Sequence, residues 1–187
     1  MASLLSRFYV SEREIRELVV ATLVMAVVFS YPLWFMFPLC LVILATGLIF
    51  HELAHKLAAI NMGYYAEFRM SPTGLLASLV ASVASGGLIK IGTPGAVHIT
   101  GGAVDSRDMA QIALAGPLAN LVIALFFGLG KYLILPLAVP IVVANWSLAL
   151  YNMLPIQPLD GHHVFRYSRT LWASIFLLAL ACGLSIV

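Results

Sequence analysis

His51, Glu52, Leu53, Ala54 and His55 form an HExxH pattern. On a helix, histidines four residues apart project from one face with Cβ atoms about 6 Å apart. Their imidazoles can bind one Zn²⁺, and Glu52 can reach a water held there. With five His and five Glu in 187 residues, a chance match is expected at roughly 0.3% (183 windows, each near 0.027 cubed). A zinc site also needs a third protein ligand and an open position. The remaining acids are Glu12, Glu14, Glu17, Glu67, Asp105, Asp108 and Asp160. The first three precede the first long apolar run, Asp105 and Asp108 read as helix caps, and Glu67 falls on a short polar strand. Asp160 is the best third ligand, because it follows an apolar helix on the same predicted side as the histidines. Its competing role is to cap a helix that begins near Gly161. His162 or His163 could replace it as ligand, although neighbouring histidines more often sit at a wet interface. His98, in a Gly-rich stretch, reads as a plain loop histidine.

The elements that must position these groups are apolar. The chain is 62% hydrophobic and 10% charged, with a mean hydropathy of +1.02. A soluble domain usually carries about 25% charged residues, so lipid is the expected solvent. An ionisable residue at the bilayer centre costs about 2.5–3.5 kcal/mol on insertion scales, so a polar cluster there needs a partner, and a metal supplies one. Net charge is +2 with the basic residues scattered singly, which excludes a nucleic-acid footprint. Cys40 and Cys182 lie in apolar runs and read as small hydrophobic fillers rather than a disulfide framework. No removable signal peptide is expected, since the first apolar run is too long and lacks a cleavage signature.

Ser11 followed by Glu14 is a capping-box pattern and predicts a helix start near residue 11. Leu18 to Phe50 contains no charged residue. Pro32 and Pro38, flanking Trp34, divide this run into a first crossing over about 15–35 and a second from about 38 to 62. The second carries His51, Glu52, His55 and Lys56. Tyr64 to Ser71 predicts a short strand, and Pro72-Thr73-Gly74 a turn. Leu75 to Ile91 is apolar but short, and the glycines after it break any long helix. The whole of 64–108 is therefore expected to be a β-hairpin or re-entrant element. Further crossings are expected at about 109–130, 132–150 and 168–187, the last pointing to a chain truncated within its final helix.

Charge placement favours five crossings. If 75–91 does not cross, Arg7, Arg13, Arg16, Lys56, Arg69, Lys90, Arg107, Arg166 and Arg169 share one side and only Lys131 lies opposite. If it does cross, the split is 6 to 4. Positive-inside bias selects the first arrangement, with a cytoplasmic N-terminus, and brings Asp160 to the side of the HExxH motif. The fold class expected is an all-α integral membrane protein of about five transmembrane helices, with a small membrane-associated β element between the second and third. It forms a single transmembrane domain over 1–187, with a core at 38–165.

Two motifs together make a specific resemblance. HExxH in an early transmembrane helix, followed by Asn152-Met-Leu-Pro155-Ile-Gln-Pro158-Leu159-Asp160-Gly161, resembles the site-2 protease family of intramembrane metalloproteases. Gly116-Pro117-Leu118-Ala119-Asn120 is also similar to that family's third core helix. The resemblance implies that His51, His55 and Asp160 bind one Zn²⁺ per chain, that Glu52 is the general base, and that Asn152 positions substrate or polarises its carbonyl. Asn152 could instead make only an interhelical hydrogen bond, and Asn120 reads as packing glue of that kind. The resemblance further implies that 64–108 lies near the site, where a substrate strand could add by β-pairing. No PDZ or CBS domain is expected within 1–187.

The expected function is hydrolysis of peptide bonds in or beside transmembrane segments of other proteins, in a multi-pass protein of a prokaryotic cytoplasmic membrane. Its partners are a transmembrane protein substrate and the lipid bilayer, with no nucleic acid. One alternative is a non-proteolytic zinc-binding membrane protein that binds transmembrane helices; the intact Glu52 argues against it. Another is a metal transporter, which would need polar residues along a path across the bilayer.

Overall fold

The computed structural model describes residues 9–92, 94–100, 102–129 and 135–186. Helix α1 spans Glu12–Ser30, with Ser11 as its N-cap: the Ser11 hydroxyl accepts the Glu14 N–H at 3.1 Å. It stops with Tyr31 extended, because the residue before a proline is disfavoured in helical conformation. It starts where the Ser11–Glu14 pattern predicted and ends before the far limit of the crossing expected at 15–35. A continuous helical stretch, α2, covers Trp34–Asn61. It passes from a 3₁₀ turn (Trp34–Met36) through α-helix (Phe37–Leu44) and a π-helical turn (Ala45–Ile49) to α-helix (Phe50–Asn61). The π turn falls immediately before the HExxH motif. There the Thr46 hydroxyl donates to the Val42 and Ile43 carbonyls at 3.1 and 2.8 Å.

The region between the second and third long helices holds two strands and a helix. Strand β1 (Tyr65–Met70) and strand β2 (Gly95–Thr100) pair antiparallel, with Phe68 opposite Val97 and Met70 opposite Gly95. Between them lies helix α3, Pro72–Ala84. Pro72-Thr73-Gly74 is thus the first turn of a helix rather than a loop. Ser71 caps it by accepting the Gly74 N–H at 3.1 Å, and Pro72 takes the first position, where a missing N–H costs nothing. At 13 residues α3 is about 20 Å long, short of the ~30 Å hydrocarbon core. His98 stands on β2, opposite Glu67, and not in a loop.

Helix α4 (Ser106–Leu129) is central, packing against α2, helix α5 (Leu135–Asn152) and helix α6 (Asp160–Tyr167). Helix α7 (Arg169–Ile186) closes over α5 and α6. Residues 130–134, where the fourth crossing was expected to begin, lie outside the described residues. Among the described residues, two helices are long and apolar enough to cross a membrane, Trp34–Asn61 and Ser106–Leu129.

Apolar clusters fix these elements in separate patches. Leu18, Ala21, Met25 and Ala26 of α1 bury against Leu44, Phe68 and Leu75, joining α1 to α2, β1 and α3. Ala113 and Leu114 of α4 pack on Met153 and Val164, which seats the 153–160 segment against α4. One buried ion pair crosses the first patch: Lys56 Nζ donates to Glu14 Oε2 and, at 2.7 Å, to the Tyr9 carbonyl. Both side chains are 1% exposed, and removing one partner of such a pair costs about 3–5 kcal/mol because the other charge stays buried.

Candidate metal centre

His51 and His55 lie one turn apart on the last helical part of α2, both buried, and their Nε2 atoms are 3.0 Å apart. Asp160 opens α6, where Leu159 takes the cap position, so the Asp160 side chain does not serve as the cap. Instead Asp160 Oδ2 lies 3.2 Å from His51 Nε2 and 3.3 Å from His55 Nε2. Tetrahedral ligands at zinc distances of about 2.0–2.1 Å are about 3.3 Å from one another. The triangle of His51, His55 and Asp160 has that size, and these three form a potential metal-binding group.

The surrounding hydrogen bonds decide which lone pairs face inward. His51 Nδ1 donates to Asn120 Oδ1 at 2.7 Å, and His55 Nδ1 donates to the Ile112 carbonyl at 2.7 Å. Asn120 is oriented by its own donors, since Nδ2 bonds the Gly47 carbonyl at 2.8 Å and Asn145 Oδ1 at 2.9 Å. With both Nδ1 atoms protonated, neutral imidazoles turn two bare Nε2 lone pairs toward each other and toward a carboxylate oxygen. Asp160 Oδ2 is buried yet meets no hydrogen-bond donor in good geometry. Three electron-rich atoms about 3 Å apart repel unless a cation joins them. Two imidazoles and one carboxylate fit zinc.

Helix α4 makes the close approach possible. A Cβ on Gly116 would lie 2.3 Å from His55 Nε2 and 2.7 Å from His51 Nε2, inside the space a metal would need. Pro117 cannot donate to the carbonyl four residues back and opens the helix at this turn; the adjacent Ile112 carbonyl is the one that orients His55. Asn120, one turn further on and fully buried, orients His51. Gly161 plays a similar part on the other side, where a Cβ would meet the Met153 carbonyl oxygen at 2.2 Å. Only glycine lets α6 approach the 153–154 backbone and bring Asp160 to the histidines.

A cavity of about 360 Å³ opens beside the triangle. Glu52, buried next to His51, lines it together with Asn152 and the β2 residues Val97 and Ile99. It leaves space beside the three donor atoms. Asn152 also borders a second, more apolar cavity of about 450 Å³ between α1, α2 and α5.

A protein of Methanocaldococcus jannaschii named "Putative zinc metalloprotease" is 34% identical to this chain over 181 residues, covering 92% of the chain and 94% of that relative. The chain belongs to that zinc metalloprotease family. No family model and no solved structure matches it.

For this metalloprotease relative, the sequence motifs and the geometry meet at His51, His55 and Asp160, with Glu52 and Asn152 on the same cavity. His163 lines that cavity without joining the triangle, and burial together with His162 pushes its imidazole below the ordinary value. His162 Nε2 lies 3.3 Å from Gln157 Nε2. Glu67 pairs with Arg69, and Asp108 accepts the Tyr64 hydroxyl at 2.8 Å. Asn120 makes the interhelical hydrogen bonds that the sequence suggested, one of which orients His51, whereas Asn145 was passed over. The available clue was a polar side chain inside an otherwise apolar helix, where such a residue needs a partner.

Proposed function

We propose that the chain is an intramembrane zinc endopeptidase of the site-2 protease type, cutting transmembrane segments of other proteins near the membrane surface. The observation that carries this reading is the convergence of two Nε2 lone pairs and the Asp160 carboxylate beside an acid-lined cavity. His51, His55 and Asp160 would hold one Zn²⁺, leaving a position open toward Glu52 and Asn152. Bound there, zinc supplies a Lewis acid that acidifies water and polarises a carbonyl. Glu52 takes the proton from the attacking water and returns it to the leaving amine. Asn152, at the end of α5, would donate to the substrate carbonyl as charge develops on it.

Membrane insertion of five helices is part of the proposal. Helices α2 and α4 have the length and apolarity to cross. Helices α1, α5 and α7, at 19, 18 and 18 residues, are about 27–29 Å long, close to the hydrocarbon thickness. If α3 does not cross, the charge count favours an N-terminus and a metal centre toward the cytoplasm. A transmembrane substrate must unwind to present its backbone, and an extended segment can then add to β2 at the cavity wall.

The reading is tested with the protein reconstituted in vesicles beside a single-span substrate carrying or lacking a Gly-Pro pair near its cytoplasmic end. Mass spectrometry should locate one cut within or next to the apolar segment, and the helix-breaking substrate should be cut faster. Equal rates for both, or cuts confined to soluble tails, would contradict it.

A further inference from the structure

The two outer edges of the β pair are not equivalent. The Phe68 N–H donates to Glu14 Oε1 and the Met70 N–H to Glu17 Oε2, each at 3.0 Å. Both carboxylates come from α1, three residues apart and hence on one face. In an antiparallel pair, residues whose N–H points outward sit opposite residues whose N–H and C=O also point outward. Phe68 faces Val97 and Met70 faces Gly95, so the outward groups of β2 belong to Gly95, Val97 and, by alternation, Ile99. All three line the cavity of the metal centre. Among the described residues the sheet has two strands, so the outer edge of β2 carries no third.

The carboxylate of Glu14 does more than close an edge. In a full capping box it would return to its own helix terminus, but its two oxygens go to Phe68 N–H and Lys56 Nζ. Lys56 directly follows the ligand candidate His55. One buried chain of contacts therefore runs from the metal-bearing helix through Glu14 to β1, and through the strand pairing to the edge of β2.

We propose that Glu14 and Glu17 are positioning residues for substrate: they occupy the outer edge of β1, so an extended segment adds only to β2, in the register set by Val97 and Ile99. This rests on the peptidase reading above and adds to it which edge is open and what keeps it in place. A pre-ordered edge spares the substrate the cost of ordering it on binding. Loss of the α1 contacts should weaken binding while leaving the chemical step nearly intact.

Glu17 gives the cleaner test, because its ionic partner Arg13 is 62% exposed and is left in water when Glu17 is removed. Full-length wild type, Glu17→Met and Glu17→Gln are compared as zinc-loaded proteins in detergent. The double variant Glu14→Leu/Lys56→Leu, which removes both buried charges together, is the fourth protein. The probe is a labelled synthetic peptide with one apolar helix and a Gly-Pro break near its end. Zinc content, amide exchange across 65–70 and 95–100, peptide Kd by anisotropy, and kcat and KM are read on each.

Glu17→Met should keep its zinc, exchange Met70 and the β amides faster, and raise Kd and KM about tenfold with kcat within about twofold, a binding loss near 1.4 kcal/mol. Glu17→Gln, whose amide oxygen can still accept the Met70 N–H, should return Kd to within about threefold of wild type. The double variant should show a Kd increase at least as large. Faster exchange with unchanged Kd, a parallel loss of zinc and kcat, or no recovery in Glu17→Gln would each overturn the proposal. If wild type binds zinc and peptide but does not cut, the peptidase reading fails, while the Kd series still decides the edge.

Discussion

The metal centre and strand β2 line one cavity, and the metal centre and the β1–α3–β2 region are held by different means. At the metal centre, side chains and helix carbonyls hold side chains: Asn120 orients His51, the Ile112 carbonyl orients His55, Asn145 and the Gly47 carbonyl orient Asn120, and Gly116 clears the space between. In the β region, side chains from α1 also hold backbone: Glu14 and Glu17 accept strand N–H groups, beside the apolar packing of Phe68 and Leu75 on α1. Donor atoms must converge to within a few tenths of an ångström to bind a metal, which calls for a buried network with little freedom. A peptide-binding edge must present regular N–H and C=O groups while tolerating many sequences, so anchoring its backbone is enough. Disturbance of the first region should therefore remove metal and activity together, and disturbance of the second should change affinity alone.

The largest effect is expected from Asp160→Ala, which takes away the one carboxylate of the triangle. Bound zinc should fall to about a tenth or less of wild type and cleavage should vanish, read by metal analysis and peptide assay. Retention of zinc would move the third ligand elsewhere. Gly116→Ala should come close to it, because the new methyl would sit 2.3 Å from His55 Nε2. A helix signal unchanged by circular dichroism would separate blocked metal from unfolding.

Asn120→Ala should be intermediate. His51 Nδ1 loses its acceptor, and zinc affinity measured by competition with a chelator should drop about 10–100-fold. Asn145→Ala acts one step further out. It strips one acceptor from Asn120 and should cost about 1–3 kcal/mol of stability in a detergent-unfolding series, with zinc affinity within about threefold of wild type. A larger zinc effect from Asn145 than from Asn120 would reverse the order of the shells. Glu17→Met stands at the small end, with zinc untouched and binding alone weakened.

The two regions also differed in how far the sequence disclosed them. HExxH and the Asn152–Gly161 segment are spaced side-chain patterns, and helical periodicity alone sets both histidines on one face. Asp160 could be chosen by eliminating the other acids. Strand β1 was legible from Tyr64 to Ser71, whereas its partner was implied only by the expected β-hairpin and its position was unmarked, because Gly92, Pro94 and Gly95 read as loop. Pro72-Thr73-Gly74 serves equally as a turn or as the start of a helix, and only Ser71 with the apolar run behind it could have tipped that choice. Glu14 looked like half of a capping box. Its true partners, Phe68 and Lys56, lie 54 and 42 residues away, and no local pattern records a contact of that range. Asn120 and Gly116 were visible as a motif, but their tasks depend on the distance between two helices, which spacing along one of them does not encode.

The central claim is that the triangle binds zinc and that Glu52 uses it to cut peptide bonds. Wild type and Glu52→Gln, purified in the same detergent, should carry equal zinc, because Glu52 lines the cavity without belonging to the triangle. Only wild type should cleave the transmembrane peptide, and removal and return of zinc should abolish and restore that cleavage. Equal cleavage by both proteins, or no zinc in either, would contradict the account.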